Sequence, residues 1–124
     1  MQAAAFAFLL AGVLLNAAAQ LLLKAGTNRL GVVTLAPGTL AATIGRIAGE
    51  GHVIAGIALY GLSVLVWIAG LSRVPVSVAY PMLSLGYVVN ALAAQYLFGE
   101  AVSMQRWLGI GFIVLGVWLV ARST

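Results

Sequence analysis

Three polar residues follow one another at intervals of four in an otherwise apolar stretch near the start of the sequence. They are Asn16, Gln20 and Lys24. Residues four apart lie on one face of an α-helix, so their side chains form a single polar stripe. Amides exchange hydrogen bonds with hydroxyl or phosphate oxygens, and an ammonium group can meet a phosphate. The stripe indicates a polar track for a lipid headgroup, although hydrogen bonding between helices and a lysine reaching the membrane surface explain it equally well.

Polar and aromatic residues also alternate at helical spacing in two later stretches. The two sets are Tyr80, Ser84 and Tyr87, with Asn90 to one side, and Tyr60, Ser63 and Trp67. A hydroxyl that faces acyl chains finds no partner, so we expect Tyr80 and Ser84 to face the bundle interior or a cavity. Tyr60 also fits an aromatic anchor at the membrane surface. The candidate substrate-binding residues are therefore Asn16, Gln20, Lys24, Tyr60, Trp67, Tyr80, Ser84 and Tyr87.

Ionisable side chains are absent from the middle of every apolar stretch. Proton-driven transporters commonly carry such a group at membrane depth. The carboxylates, Glu50 and Glu100, and the single histidine, His52, lie between the apolar stretches, and His52 has no evident partner there. The sequence also lacks cysteine and a glycine-rich phosphate loop. It therefore predicts no enzyme activity, no metal site and no cofactor, and it does not indicate ATP as the energy source.

The composition places the chain in a membrane. Of its 124 residues 64% are apolar and 6% are charged, and the formal net charge is +4. A soluble domain usually has about 25% charged residues, which argues against a soluble globule, a disordered tail and a nucleic-acid-binding module. The apolar runs are long enough to cross a bilayer. The sequence predicts an all-α integral membrane protein with one four-helix domain over residues 1–124 and spans at about 3–23, 53–71, 75–98 and 104–121.

The connections between the predicted spans differ in length. The second and third are short enough to be tight hairpins, which makes the last three spans antiparallel neighbours. The first contains the turn signal Pro37-Gly38, after which residues 39–49 follow an amphipathic pattern that Thr39 could cap. This pattern predicts a short helix in the membrane interface, although a flexible loop is equally compatible with it. Pro81 removes a backbone donor inside the third span and predicts a kink near Tyr80.

The basic residues predict the orientation of the chain. The side of the first and third connections holds Lys24, Arg29, Arg46 and Arg106, whereas the side of the termini holds Arg73 and Arg122. Cytoplasmic loops carry an excess of lysine and arginine, so the termini are expected outside the cytoplasm. The difference is small, and insertion in both orientations stays open.

The fourth span carries three glycines among bulky apolar residues: Gly109, Gly111 and Gly116. Small residues let a second backbone approach closely, so these positions are candidates for a dimer interface. Four helices enclose little room for a polar path across the bilayer, and transporters often place their site between two related halves. We therefore expect the chain to act as a homodimer, or as a heterodimer with a homologous small subunit.

Several segments resemble the small multidrug resistance superfamily of membrane transporters. They are the Asn16-x-x-x-Gln20-x-x-x-Lys24 pattern, the run from Val74 to Gly86, the sequence Phe98-Gly99-Glu100 and the glycine-rich fourth span. The drug exporters of this superfamily carry an essential carboxylate in the first helix, and the matching position here is Asn16. The stretch VPVSVAYPMLSL and the Q-x-x-x-K pattern look most like the branch of aminoarabinose–undecaprenyl-phosphate flippase subunits.

The resemblance implies a bundle of the small multidrug resistance type in the bacterial inner membrane. It also implies transport of a sugar-loaded polyprenyl phosphate from the cytoplasmic to the periplasmic leaflet, in support of lipid A modification. We expect the sugar or the phosphate to meet the polar stripe of the first span together with Tyr80 and Ser84. The candidate contacts of the phosphate are Lys24, Arg29 and Arg46.

Two other functions remain open from the sequence. One is an exporter of small cations or quaternary ammonium drugs that uses Glu100 or His52 for coupling. For Glu100, a salt bridge to Arg106 or a cap on the fourth helix is the structural alternative. The other function is that of a non-transporting partner, which would stabilise or regulate a second membrane protein.

Overall fold

Hydropathy and helix-ending residues together set the helices of this protein. The computed structural model describes residues 3–123, and within that range it contains six helices and no strand. The helices are α1 (Ala3–Leu30), α2 (Leu40–Ala48), α3 (Gly51–Leu71), α4 (Val76–Met82), α5 (Leu85–Leu97) and α6 (Met104–Arg122). Four stretches are long and apolar enough to cross a membrane, namely α1, α3, α4 together with α5, and α6. The prediction of an all-α protein with four such helices is confirmed.

The first helix is longer than the predicted span and continues past Leu23 to Leu30. It ends only where Gly31 takes a left-handed φ of +80° and its N–H donates to the carbonyl of Thr27 over 2.9 Å. Glycine adopts this conformation without the steric penalty of a Cβ. The 28 residues of α1 extend for about 42 Å, whereas the hydrocarbon core of a bilayer is about 30 Å thick. The last turns of α1 therefore project beyond its apolar stretch.

The third span is divided into α4 and α5 and does not form one helix over residues 75–98. Pro81 has no N–H to donate, and α4 ends at the next residue, Met82. The N–H groups of Leu83 and Ser84 then donate to carbonyls three residues back, each over 3.0 Å. The kink predicted near Tyr80 therefore lies a few residues later, in a tight turn that leads into α5.

The connection between α1 and α3 contains the short helix α2. Thr39 precedes it without a side-chain capping bond, and the hydroxyl of the buried Thr43 donates to the carbonyl of Thr34 over 3.2 Å. Arg46 donates to the carbonyl of Leu30, at the end of α1, over 2.7 Å. These bonds fold the connection back onto the end of α1. The location of α2 in the membrane interface remains a prediction.

The first and second spans, α1 and α3, run antiparallel and pack along their length. Their close approach depends on glycines at which a side chain would collide with the neighbouring helix. A methyl group at Gly70 would lie 2.6 Å from Cδ2 of Leu9, and one at Gly56 would lie 3.0 Å from the carbonyl oxygen of Ala19. Small residues thus let the two backbones meet.

Helices α4, α5 and α6 complete the bundle, and α4 also contacts α3. Helices α4 and α5 pack against α1 on one side and against α6 on the other. A buried apolar cluster closes the end of the bundle at which α1 begins, and it consists of Leu9, Ala79, Met82 and Val117. The opposite end, where α1 ends and α3 begins, is called the Lys24 end below and lies outside this cluster.

Candidate functional site

Four cavities follow one another along α1. The aromatic cavity, of about 270 Å³, is lined by Asn16, Tyr60, Trp67 and Tyr80, among others. The amide cavity, of about 260 Å³, is lined by Asn16, Gln20, Tyr87 and Asn90, among others. The charged cavity, of about 180 Å³, is lined by Gln20, Lys24, Asn90 and Glu100, among others. The outer cavity, of about 440 Å³, is lined by Lys24, Thr27 and Asn28, among others.

Neighbouring cavities share lining residues, so the four cavities lie in series along α1, and we call this series the groove. Asn16 borders both the aromatic and the amide cavity. Gln20 and Asn90 border both the amide and the charged cavity, and Lys24 borders both the charged and the outer cavity. The groove thus runs from the middle of the bundle to the Lys24 end. The three residues of the predicted stripe lie along it in sequence order.

The aromatic cavity is shaped by the contact of α3 with α1 and α4. The rings of Trp67 and Tyr80 meet edge to face, with centroids 5.8 Å apart and an interplanar angle of 75°. The indole Nε1 of Trp67 is buried and has no hydrogen-bond partner within the described range. A methyl group at Gly12 would lie 3.2 Å from Cε3 of Trp67, so the glycine admits the indole ring. Aromatic faces attract cations, and an indole N–H donates a hydrogen bond.

The amide cavity brings side chains of α1 and α5 together. The amides of Asn16 and Gln20 form no hydrogen bond with any residue between 3 and 123. Asn90 faces them from α5, and its Oδ1 is buried without a partner in that same part of the chain. An amide both donates and accepts, so this cavity can exchange hydrogen bonds with hydroxyl groups.

The charged cavity lies between the C-terminal part of α1, α5 and the loop that follows α5. Lys24 is exposed and forms no ion pair with any carboxylate of residues 3–123. Glu100 borders the same cavity. It does not cap α6, because the hydroxyl of Ser103 accepts a hydrogen bond from the N–H of Arg106 over 3.2 Å. A salt bridge between Glu100 and Arg106 is likewise not formed within the described range.

The other two candidate phosphate contacts, Arg29 and Arg46, line none of the four cavities. Nε of Arg29 lies 3.5 Å from Oε2 of Glu50, and the guanidinium of Arg46 donates to the end of α1. Both arginines thus hold the connection between α1 and α3 in place. Of the three candidates, only Lys24 borders the groove.

His52 has a partner that the sequence did not indicate. Oε1 of Glu50 accepts a hydrogen bond from Nδ1–H of His52 over 2.9 Å and from its backbone N–H over 3.1 Å. The carboxylate thereby caps the start of α3. These bonds, led by the one from the imidazole and assisted by the charge of Arg29, hold the pKa of Glu50 below its ordinary value.

Ser84 and the three predicted interface glycines of α6 lie outside the groove. Ser84 borders none of the four cavities and occupies the turn before α5. A side chain at Gly109, Gly111 or Gly116 would meet no atom within 4 Å, so these glycines lie on an open surface of α6. Their contact with a second chain remains a prediction.

Gly12 and Asn90 are among the lining residues of the groove that lie outside the predicted set. Helical spacing carries a signal for both. Gly12 lies four residues before Asn16, on the same face of α1, and Asn90 follows Tyr87 by three residues in an apolar helix. The stripe can therefore be extended by one turn to a glycine, which leaves space for Trp67.

Comparison with known proteins relates this chain to flippase subunits. A protein of Pseudomonas savastanoi pv. phaseolicola named "Probable 4-amino-4-deoxy-L-arabinose-phosphoundecaprenol flippase subunit ArnE" is 46% identical over 67 residues, which are 54% of this chain and 59% of that protein. Proteins of the same name from Yersinia pseudotuberculosis and Pseudomonas fluorescens are 44% and 45% identical over 61 and 64 residues. These matches cover 49% and 52% of this chain and 54% and 56% of the relatives. This chain is similar to ArnE.

The similarity covers only part of each relative. The chain spans between half and three fifths of the length of the curated relatives it matches. No protein-family profile matches it. No solved structure matches it. The resemblance to aminoarabinose–undecaprenyl-phosphate flippase subunits is confirmed over the matched residues, and the four apolar helices together with these relatives identify a multi-pass membrane protein.

Proposed function

We propose that this chain is one subunit of a flippase in the bacterial inner membrane. Its cargo would be undecaprenyl phosphate loaded with 4-amino-4-deoxy-L-arabinose, the lipid that the names of the relatives specify. Moving this lipid from the cytoplasmic to the periplasmic leaflet supplies the sugar for lipid A modification. The observation that carries the proposal is the groove along α1, in which aromatic, amide and charged surfaces follow one another.

Along the groove, the lining changes from aromatic to amide to charged, in the same order as the groups of such a lipid. An aminosugar carries an ammonium group, which suits the aromatic faces of Tyr60, Trp67 and Tyr80. The phosphate that joins the sugar to the prenyl chain suits the ammonium of Lys24. The prenyl chain is apolar and stays among the acyl chains, so only the headgroup needs a polar route.

Lys24 is the proposed contact of the phosphate. It borders both the charged and the outer cavity, and it is not neutralised by a carboxylate within residues 3–123. Arg29 and Arg46 instead stabilise the end of α1. A cation at the end of a polar groove, with no carboxylate partner among residues 3–123, provides the charge that a phosphate needs when it leaves the headgroup region.

A partner subunit completes the proposed transporter. The relatives are named as subunits, and a polar path across a bilayer needs walls on several sides. The open surface of α6 at Gly109, Gly111 and Gly116 is the proposed contact with that partner, either a second copy or a homologous small subunit.

Lipid binding by Lys24 variants tests this function. We would extract the protein from its own membrane in mild detergent, so that a partner is retained, and measure binding of undecaprenyl phosphate by native mass spectrometry. Lys24→Met keeps the bulk of the side chain and removes the charge, so we expect affinity to fall at least about tenfold. Arg106→Met removes a charge from the same side of the bundle and should leave affinity near the wild-type value.

Equal affinity of the wild type and Lys24→Met for this lipid would contradict the proposed contact. An equal loss in the Arg106→Met control would also contradict it, because the effect would then be a general attraction of anionic lipids to basic loops.

Export of a small organic cation is the second candidate, and the aromatic cavity favours it. Three aromatic side chains border this cavity, and the carboxylates Glu50 and Glu100 do not. Growth protection against a quaternary ammonium compound, lost in Trp67→Leu and kept in Lys24→Met, would support this function over lipid transport. Protection absent from cells that express the wild type would exclude it.

A further inference from the structure

We infer that Asn16, Gln20 and Asn90 form an uncharged binding subsite for the hydroxyl groups of the sugar ring, with Asn90 as the residue that discriminates loaded from unloaded lipid. The inference rests on the proposed function, since it concerns the part of the groove between the aromatic cavity and Lys24. It adds a residue from α5 to a stripe that otherwise belongs to α1.

The hydrogen-bonding state of Asn90 is the first observation. Its Oδ1 is buried and has no partner within residues 3–123, although Gln20 borders the same two cavities. A purely structural amide between two helices would be bonded to its neighbour, because an unsatisfied buried polar atom destabilises the fold.

The charge of the amide cavity is the second observation. Its lining residues are Val13, Asn16, Gln20, Leu83, Gly86, Tyr87 and Asn90, none of which carries a formal charge at neutral pH. An ionic group would be buried there without a counter-charge, which is costly. Hydroxyl groups both donate and accept, as amides do, so a polyhydroxyl ring satisfies this lining. The volume of about 260 Å³ is near the lower end of small-ligand pockets, about 300 Å³.

The position of the amide cavity is the third observation. It shares Asn16 with the aromatic cavity and shares Gln20 and Asn90 with the cavity that Lys24 borders. When the phosphate of a ligand reaches Lys24, the polar group attached to that phosphate therefore lies next to Asn90, while the apolar prenyl chain stays among the acyl chains. In a loaded lipid this group is the sugar, whereas unloaded undecaprenyl phosphate offers nothing there.

Two lipids distinguish the inference from the proposed function. Using protein extracted from its own membrane, we would compare the binding of undecaprenyl phosphate with that of aminoarabinose-loaded undecaprenyl phosphate by native mass spectrometry. Asn90→Leu removes the amide at similar size and should weaken binding of the loaded lipid about tenfold. Binding of undecaprenyl phosphate should stay within about twofold, since the phosphate contact is intact. Gln95→Leu, an exposed amide on the same helix, is the matched control and should change neither affinity.

Other results of this experiment would contradict the inference or the proposed function. If Asn90→Leu lowers the affinity for both lipids equally, or lowers neither, the inference is overturned and the proposed phosphate contact stands. The same holds if the wild type binds both lipids equally well. If the wild type binds neither lipid, the proposed function fails and the inference fails with it. Unchanged helical circular dichroism checks the fold, and Asn90→Ala replaces the leucine variant if that spectrum is altered.

Discussion

At the scale of the residue, Glu50 joins the end of α1 to the start of α3. Its carboxylate accepts two hydrogen bonds from His52 and lies 3.5 Å from Nε of Arg29. These partners keep the pKa of Glu50 below its ordinary value of 4.5. A lowered pKa means that the folded protein prefers the ionised carboxylate, so this contact stabilises the fold at pH values above the ordinary value.

The pH dependence of unfolding tests the Glu50 contact. We expect the Tm of the wild type in detergent to fall as the pH drops below the ordinary pKa of 4.5, because a carboxyl with a lowered pKa in the folded state loses its stabilising contribution when it takes up a proton. Glu50→Gln should show a smaller fall, because it has no proton to gain there. Glu100→Gln should keep the fall of the wild type. Parallel curves for the wild type and Glu50→Gln would show that another group is responsible.

Sequence spacing predicted part of the groove at this scale. Asn16, Gln20 and Lys24 lie on one helix, so their common face follows from intervals of four. Asn90 was not selected, because its position opposite Gln20 depends on how α5 packs against α1, which local spacing does not determine. Local spacing does not determine the contacts of the arginines either. Arg29 meets Glu50 only after the chain has reversed through α2.

At the scale of the element, glycines set the distance between α1 and α3. Gly70 lies against Leu9, which is completely buried. A Cβ added at Gly61, on the same helix, would have no neighbouring atom within 4 Å. The two glycines therefore form a matched pair for substitution, since both lie in α3 and only Gly70 is packed.

Substitution of these two glycines by alanine should have different effects on stability. Gly70→Ala places a methyl group 2.6 Å from Leu9 and should lower the free energy of unfolding by about 1–3 kcal/mol. Gly61→Ala should leave it unchanged or raise it by up to about 1 kcal/mol, because alanine is the better helix former. Denaturant unfolding in detergent, followed by circular dichroism, measures both. Equal stability of the two variants would contradict the close packing of α1 on α3.

The helices themselves were largely predictable, and their ends were less so. Hydropathy located the four spans, because length and composition alone make a helix able to cross a bilayer. Hydropathy could not find the end of α1, which is set by the backbone conformation of Gly31 and not by Lys24. It also could not divide the third span, since the break after Pro81 depends on the bonds of Leu83 and Ser84.

At the scale of the whole molecule, the basic residues of the Lys24 end predict the orientation. Cysteine is absent from the chain, so single cysteines can be introduced cleanly. We expect Ser123→Cys to react with a membrane-impermeant maleimide in intact spheroplasts and Thr39→Cys to react only after lysis. The reverse pattern would contradict this orientation. Partial labelling of both variants would indicate insertion in two orientations.

We propose that this protein, together with a partner subunit, moves an aminosugar-loaded polyprenyl phosphate across the bilayer. The most direct test reconstitutes the natively extracted protein in vesicles that contain aminoarabinose-loaded undecaprenyl phosphate in both leaflets. A membrane-impermeant, amine-reactive reagent then labels the sugar amine from outside. We predict that labelling continues beyond the outer-leaflet fraction with the wild type and slows strongly with Lys24→Met. Labelling that stops at the outer-leaflet fraction, as in protein-free vesicles, would contradict the claim.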